Sequence, residues 1–149
     1  MKSLTRIVAL LLVFALMIPS AAAAVVEPDV QPTASAYLQS YSVWLEMNDS
    51  VDICFSVYGT GTMAQIGAKR IILQVSADQT YWTNVADFNS LNPQYTASMI
   101  RTNYFFCSSS VSYTIPIHGA YYRAMVFVYA GDGTNGDTRV VYTPIRQFP

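Results

Sequence analysis

Two cysteines, Cys54 and Cys107, and one histidine, His118, are the side chains of this 149-residue chain with the most reactive chemistry. A histidine can act as a general base or bind a metal. A metal site with one histidine needs further ligands at suitable spacing, and none lies near His118. We therefore interpret His118 as a loop residue beside Gly119. The chain also lacks a G-x-S-x-G motif, which removes one common signal of a hydrolase.

Some acidic side chains occur in pairs, which could act as the catalytic carboxylates of a glycosidase or as calcium ligands. The closest pairs are Asp49 with Asp52 and Asp132 with Asp137, and both lie in or beside segments where aspartate favours turns. Glycoside hydrolysis needs two opposed carboxylates. Segment 132–137 is rich in oxygen ligands, but its order departs from an EF-hand loop, so a hairpin turn is the better interpretation. We predict no catalytic residue, no cofactor-binding residue and no metal ligand.

The N-terminal segment has the order of a secretory signal peptide. Lys2 and Arg6 come before the apolar run 7–18, and four consecutive alanines follow as candidate cleavage sites. The alternative is an uncleaved membrane helix. Twelve residues span only about 18 Å, whereas the hydrocarbon core of a bilayer is about 30 Å thick. We predict a signal peptide over 1–24, a mature chain that starts at Val25, secretion to the extracellular space, and no stable membrane insertion.

The composition agrees with a compact exported domain. Hydrophobic residues make up 52% of the chain and charged residues 11%, although part of this excess lies in the signal segment. The mature chain carries six basic and nine acidic side chains, and the basic ones form no cluster. This balance excludes the concentrated positive surface that nucleic acids require. Aromatic residues make up 13% of the chain, enough to build a core, so disorder is excluded as well.

Apolar and polar residues alternate along the mature chain with a period of two, which predicts strands. Residues 25–35 contain two prolines and are predicted to form an extended lead-in. About seven strands follow over 36–149, including separate strands at 51–57 and 70–76 with a glycine-rich break between them. Segment 89–103 is predicted to be a long loop with an edge strand. Short strands with regular turn signals predict an all-β fold with a single sandwich domain.

Segment 122–130 has the pattern Y-x-A-x-V-x-V-x-A and follows a short turn that contains Gly119. It resembles the E–F region of fibronectin type III and related immunoglobulin-like sandwiches. This resemblance implies that Tyr122 is a tyrosine-corner residue and that the alternate residues after it face the core. One departure is Phe55, which stands where such domains place a buried tryptophan.

Other segments resemble a group of small secreted bacterial proteins. Residues 74–78 followed by Trp82 are similar to the C–C′ hairpin of bacterial relatives of these folds, and segments 59–63 and 129–139 match the sequence style of the group. The resemblance implies an immunoglobulin-like or fibronectin type III-like fold and an extracellular location. It implies no activity.

An even number of cysteines in an exported chain favours a disulfide. Cys54 lies on the second predicted strand and Cys107 on the fifth, and these strands are neighbours in the proposed sandwich. Cys54 falls in the outward phase of its strand and Cys107 in the inward phase. A bond therefore requires a bulge within 108–110 that changes the face. We predict a Cys54–Cys107 disulfide, and two free thiols are the alternative.

The sixth predicted strand has two chemically different faces. If its tyrosine-corner side faces the core, the opposite side carries Arg123, Met125, Phe127 and Tyr129. An exposed apolar row of this kind is typical of an interface. We predict that this face contacts an extracellular protein, a glycan or a second copy of the chain. The alternative is that loop 89–103 covers these side chains.

These observations predict a secreted, non-catalytic β-sandwich protein that binds a partner or has a structural role outside the cell. The main alternative is a stand-alone carbohydrate-binding module, because the chain is rich in tyrosine and carries two tryptophans. Trp44 falls in an outward phase, but Trp44 and Trp82 can equally belong to the core. A small hydrolase, with His118 as its only obvious base, is the third alternative.

Overall fold

Strands dominate the part of the chain that the structure describes, residues 31–32 and 35–149 of a computed structural model. The predicted signal peptide over 1–24 and most of the lead-in over 25–35 lie outside the described residues. All strand pairs in this part of the chain are antiparallel. The elements are β1 (Gln31–Pro32), β2 (Leu38–Met47), β3 (Val51–Ser76), β4 (Thr83–Asn89), α1 (Pro93–Met99), β5 (Ile100–Tyr113), β6 (Tyr121–Gly131), β7 (Gly136–Tyr142) and β8 (Arg146–Gln147).

β3 is a strand of 26 residues that both halves of the fold share. Its first part, 51–58, pairs with β2 on one side and β5 on the other. Its later part pairs with β6 over 65–76 on one side, and with β5 over 63–67 and then β4 over 70–75 on the other. The prediction of two separate strands at 51–57 and 70–76 was wrong. Residues 59–62 remain part of the strand and form a bulge in its pairing with β5, so that these four residues stand opposite Phe105 alone. A glycine-rich segment can bend a strand without ending it.

The inward side chains of the two halves of the fold form one hydrophobic core. One layer of the core consists of β2, β5 and the first part of β3. The other layer consists of β4, β6 and the later part of β3. β2 contacts β6 across this core without pairing with it. Each fully buried large apolar side chain stabilises the fold by roughly 1.5–3 kcal/mol. The described chain is therefore an all-β, antiparallel fold with sandwich-like packing.

Segment 89–103 is more ordered than the predicted loop. Asn92 caps α1 by accepting a backbone N–H with its side chain. Met99, at the end of the helix, is fully buried. α1 packs chiefly against β5 and has smaller contacts with β3 and β4. The prediction of a loop here was wrong because the burial of Met99 supports a helix too short to show a clear sequence period.

Tyr122 anchors the start of β6. Its ring is fully buried, and its hydroxyl accepts a hydrogen bond of 2.7 Å from the backbone N–H of Ile117, five residues upstream. This contact has the geometry of a tyrosine corner. The alternate residues that follow Tyr122 on β6 are also fully buried, as the sequence pattern predicts; they are Ala124, Val126, Val128 and Ala130.

We expect Tyr122→Phe to lower the free energy of unfolding by about 1–2 kcal/mol, because it removes the hydroxyl hydrogen bond and keeps the buried ring. Urea unfolding measures the change. Tyr121→Phe is the matched control, since the neighbouring Tyr121 is only partly buried and shows no hydroxyl hydrogen bond in the described structure. Equal stability of the two variants would contradict the anchoring role of the Tyr122 hydroxyl.

Candidate functional site

Both cysteines of the described chain are free and buried, so the predicted disulfide was wrong. The strand register explains why. Cys107 stands opposite Val57, whereas Cys54 stands opposite Ser110. Directly paired residues share a face, so Cys107 points into the core and Cys54 lies on the outer face. The register shift of this strand pair falls before Cys107, and the required bulge within 108–110 does not form.

We expect both thiols to stay reduced and unreactive in the folded protein. Burial, helped by the nearby Glu46 and Asp52, raises the pKa of the Cys54 thiol to about 12. Burial also raises the pKa of the Cys107 thiol. The thiolate is the reactive form, so alkylation should be slow in the folded state and should modify two residues after denaturation. Reductant should leave the thermal unfolding midpoint unchanged; a non-reduced mass that lacks two hydrogens would contradict this expectation.

His118 lies at the surface beside the last two residues of the sequence. Its Nδ1 is 2.6 Å from a main-chain oxygen of Pro149, and its ring meets Phe148 edge to face. Across the described part of the chain, no three His, Cys, Asp or Glu side chains come close enough together to hold a metal ion. Within that part of the chain, His118 therefore belongs to no cluster that could hold a metal ion.

Asp132 and Asp137 hold the start of β2 against the β6–β7 hairpin. The Tyr37 hydroxyl donates to the Asp132 carboxylate at 2.9 Å, and the Tyr37 backbone N–H donates to Asp137 at 3.2 Å. Ser35 also donates to Asp137. Backbone N–H groups of the turn, that of Asn135 first, lower the pKa of Asp132. Both carboxylates therefore have structural partners, and segment 132–137 forms the predicted hairpin turn.

The four residues predicted to contact a partner lie along the outer side of β6. Arg123, Met125, Phe127 and Tyr129 are partly buried and alternate with the fully buried residues of that strand. Cross-strand partners from β3 and β7 extend the surface on both sides. We call it the aromatic face; it consists of Ile72, Gln74, Trp82, Arg123, Met125, Phe127, Tyr129, Val140 and Tyr142.

The aromatic face is open rather than covered by segment 89–103. α1 packs against β5 and β4, which pair with the edge of β3 opposite to β6. Val140 and Tyr142, on the β7 side of the face, are 50% and 51% exposed. The alternative in which segment 89–103 covers the β6 row is therefore wrong.

Arg123 contacts two aromatic rings and one amide side chain of the aromatic face. Its guanidinium carbon lies 4.2 Å from the centre of the Trp82 ring and 5.2 Å from that of Tyr142. Its Nε donates to the Gln74 side-chain oxygen at 2.8 Å, and the Gln74 amide donates to Asn84 at 2.9 Å. Ring contacts and this hydrogen bond together hold the guanidinium plane in one orientation. The structure shows no hydrogen bond from the two Nη atoms to any described residue.

The other cations near this face already have partners. The Lys69 ammonium lies 3.4 Å from the centre of the Tyr129 ring. Arg70 donates two hydrogen bonds to Asp87, at 3.0 and 2.6 Å, and these hold the pKa of the Asp87 carboxyl below its usual value. Arg123 and Lys69 therefore carry positive charges at this face that no described acid neutralises, and of the two only Arg123 presents a planar guanidinium.

Sequence reasoning identified the β6 row but missed the residues that complete it. Tyr142 could have been assigned from the alternation of the last strand, but Trp82 lies just before β4, outside any strand phase. Neither tryptophan belongs to the main core cluster. Trp44 is partly buried on the outer side of β2, where its indole donates to Glu46 at 3.0 Å.

Comparison of the chain with protein-family models, curated proteins and solved structures finds no match. Within the described residues, no helix is both long enough and apolar enough to cross a bilayer.

Proposed function

We propose that this protein is a secreted, non-catalytic β-sandwich of the immunoglobulin-like type that binds an extracellular partner through the aromatic face. The observation that carries the proposal is this open face, with Arg123 held against Trp82 and Tyr142. The immunoglobulin-like assignment is supported by the Tyr122 hydroxyl contact and by the antiparallel strands around one core. Export is supported by the charge and apolar pattern of 1–24.

The composition of the aromatic face supports binding rather than a purely structural role. Trp, Tyr and Arg are the residues that contribute most often to binding hot spots. Here all three types meet within one cluster, and a monomer gains little from leaving such a cluster partly open to water. Strands β3 and β6, which carry its centre, form a firm support because their backbones are paired on both sides.

The export part of the proposal is tested by expressing the full chain in a bacterial host and analysing the protein recovered from outside the cytoplasm. We expect an N-terminus at Val25, because the alanine run precedes it. Intact protein retained in the membrane fraction, with residues 1–24 still attached, would overturn this part.

The binding part is tested on envelope and matrix material from the cells that secrete the protein. We expect saturable binding by the parent protein and a loss of about tenfold or more in Tyr142→Ser, because truncation of a hot-spot aromatic costs about 2 kcal/mol or more. Tyr58→Ser is the matched control: Tyr58 is 41% exposed and lies on the other half of the fold. Equal loss in both variants, or no saturable binding by the parent, would overturn the role of the aromatic face.

A stand-alone carbohydrate-binding module is the second candidate function. It is favoured by the Trp82 and Tyr142 rings beside the amide side chains of Gln74 and Asn84, since rings stack on sugars and amides hydrogen-bond to hydroxyl groups. A glycan array probed with the purified protein tests it. Glycan binding that is lost in Tyr142→Ser would support a carbohydrate-binding module. The absence of binding to every glycan on the array would rule it out.

A further inference from the structure

We propose that Arg123, Trp82 and Tyr142 form a subsite for a carboxylate-bearing sugar, so that the ligand of the aromatic face is a glycan containing uronic acid. This inference rests on the carbohydrate-binding candidate above and names its ligand class. The geometry of the guanidinium group, the rings beside it, and the charge and position of the face each support it.

The guanidinium of Arg123 presents the edge that a carboxylate needs. Gln74 occupies its Nε, and the structure shows no described acceptor for its two Nη atoms. Two parallel N–H groups on one edge match the two oxygens of a carboxylate. The Gln74–Asn84 hydrogen bond restrains Gln74 in turn. The subsite is thus ordered before a ligand arrives, which lowers the entropic cost of binding.

The rings beside Arg123 supply the apolar part of the same subsite. Trp82 and Tyr142 both lie within 5.2 Å of its guanidinium carbon, measured to their ring centres. A uronic acid carries an apolar ring face and a carboxylate within one residue. The cluster offers the matching pair, aromatic rings and a fixed fork of donors, side by side.

Charge complementarity selects an anionic ligand over a neutral one. Asp87 neutralises Arg70, whereas no described acid contacts Arg123 or Lys69, which lies over the Tyr129 ring of the same face. The mature chain has more acidic than basic side chains. An anionic ligand is therefore attracted to this face and repelled by the acidic remainder of the surface.

The position of the subsite within the sheet favours a glycan over a peptide. Peptides commonly bind a sheet by adding a strand to a free edge or by filling a groove. Gln74 on β3 pairs with both Asn84 and Arg123, and the far side of β6 pairs with β8 up to Tyr122 and with β7 from Met125 onward. The site therefore offers side chains on a sheet surface and no long free backbone edge, which suits a chain of sugar rings.

The test uses protein purified after expression of the full chain and a panel of uronate oligosaccharides. The panel covers galacturonate, glucuronate, mannuronate and guluronate chains, each beside its carboxyl-reduced form, which keeps the ring and removes the charge. Calorimetry is expected to show that the parent prefers at least one uronate over its reduced form by about tenfold or more. In Arg123→Gln, the ratio of the affinity for the uronate to the affinity for its reduced form should fall close to one. Arg123→Lys should also lose most of this preference, because lysine keeps the charge but not the planar fork.

Arg139→Gln is the matched control, because Arg139 lies on β7 and its guanidinium donates only to the neighbouring carbonyl of Thr138 in the described structure. It should keep the parent's preference for the uronate, and thermal unfolding should show that all three variants fold. If Arg139→Gln lost the preference for the uronate to the same extent, the overall positive charge rather than the Arg123 subsite would explain binding, and the subsite would be overturned.

The remaining outcomes separate this inference from the proposed function. Equal affinity for a uronate and its reduced form would overturn the carboxylate subsite but leave the carbohydrate-binding candidate standing. Binding to an acidic protein or peptide with no affinity for any glycan would overturn the inference and the candidate, while leaving a protein-binding role for the aromatic face.

Discussion

Gly67→Ala is expected to lower the free energy of unfolding by about 3–5 kcal/mol, through backbone strain combined with steric overlap. Gly67 has φ +143°, a conformation that residues with a Cβ rarely adopt. A Cβ built there would overlap the carbonyl oxygen of Met99 and lie 3.2 Å from the Cys107 sulfur. The Met99 oxygen is a backbone atom at the junction of α1 and β5, so it cannot move aside without displacing both elements.

Urea unfolding of Gly67→Ala beside Gly61→Ala measures this effect. Gly61 lies in the bulge of the same strand, and a Cβ built there meets no atom within 4 Å. Gly61→Ala should therefore change stability by no more than about 0.5 kcal/mol. Equal stability of the two alanine variants would contradict the close approach of the β5 backbone to β3 at Gly67.

The neighbouring substitutions Val126→Lys and Phe127→Lys are expected to differ in stability by about 3 kcal/mol or more. Val126 is fully buried, with Ile71 and Val141 as its cross-strand partners, so a lysine there places an unpaired charge in the core. We expect this variant to lose about 4 kcal/mol or to remain unfolded. Phe127 lies on the aromatic face, where the lysine ammonium can reach water, so a loss of about 1 kcal/mol is expected.

Each variant of this pair is the control for the other, because the residues are adjacent and receive the same new side chain. Circular dichroism and urea unfolding give the two free energies. Unfolding of Phe127→Lys to the same extent as Val126→Lys would show that the outer side of β6 is covered. The partner face would then have to be abandoned.

Local alternation was enough to predict the two faces of β6. Side chains of a strand point to opposite sides in turn, so the alternating pattern from Tyr122 onward separates core from surface with no knowledge of neighbouring strands. The alternation also predicts that Cys54 points outward and Cys107 inward, and side chains on opposite faces of a sheet are poorly placed to form a disulfide. The disulfide prediction failed because compartment and cysteine count were given more weight than phase.

Segments whose structure depends on distant contacts were predicted poorly. The glycine-rich residues 59–62 have the composition of a turn, yet β3 continues through them because strands far along the chain pair with it on both sides of the bulge. The helix α1 is likewise too short to be stable alone and depends on the burial of Met99. In both places a tertiary contact outweighs a weak local preference.

The sequence by itself determined that this chain would be rich in strands, which side of β6 faces the core, and that Arg123, Met125, Phe127 and Tyr129 share the other side. Only the tertiary structure decided what Arg123 touches. Its partners Gln74, Trp82 and Tyr142 come from β3, from the turn before β4 and from β7. Periodicity acts between residues two apart, whereas a cluster drawn from three separate segments depends on strand order and register, which arise only when the whole sheet pairs.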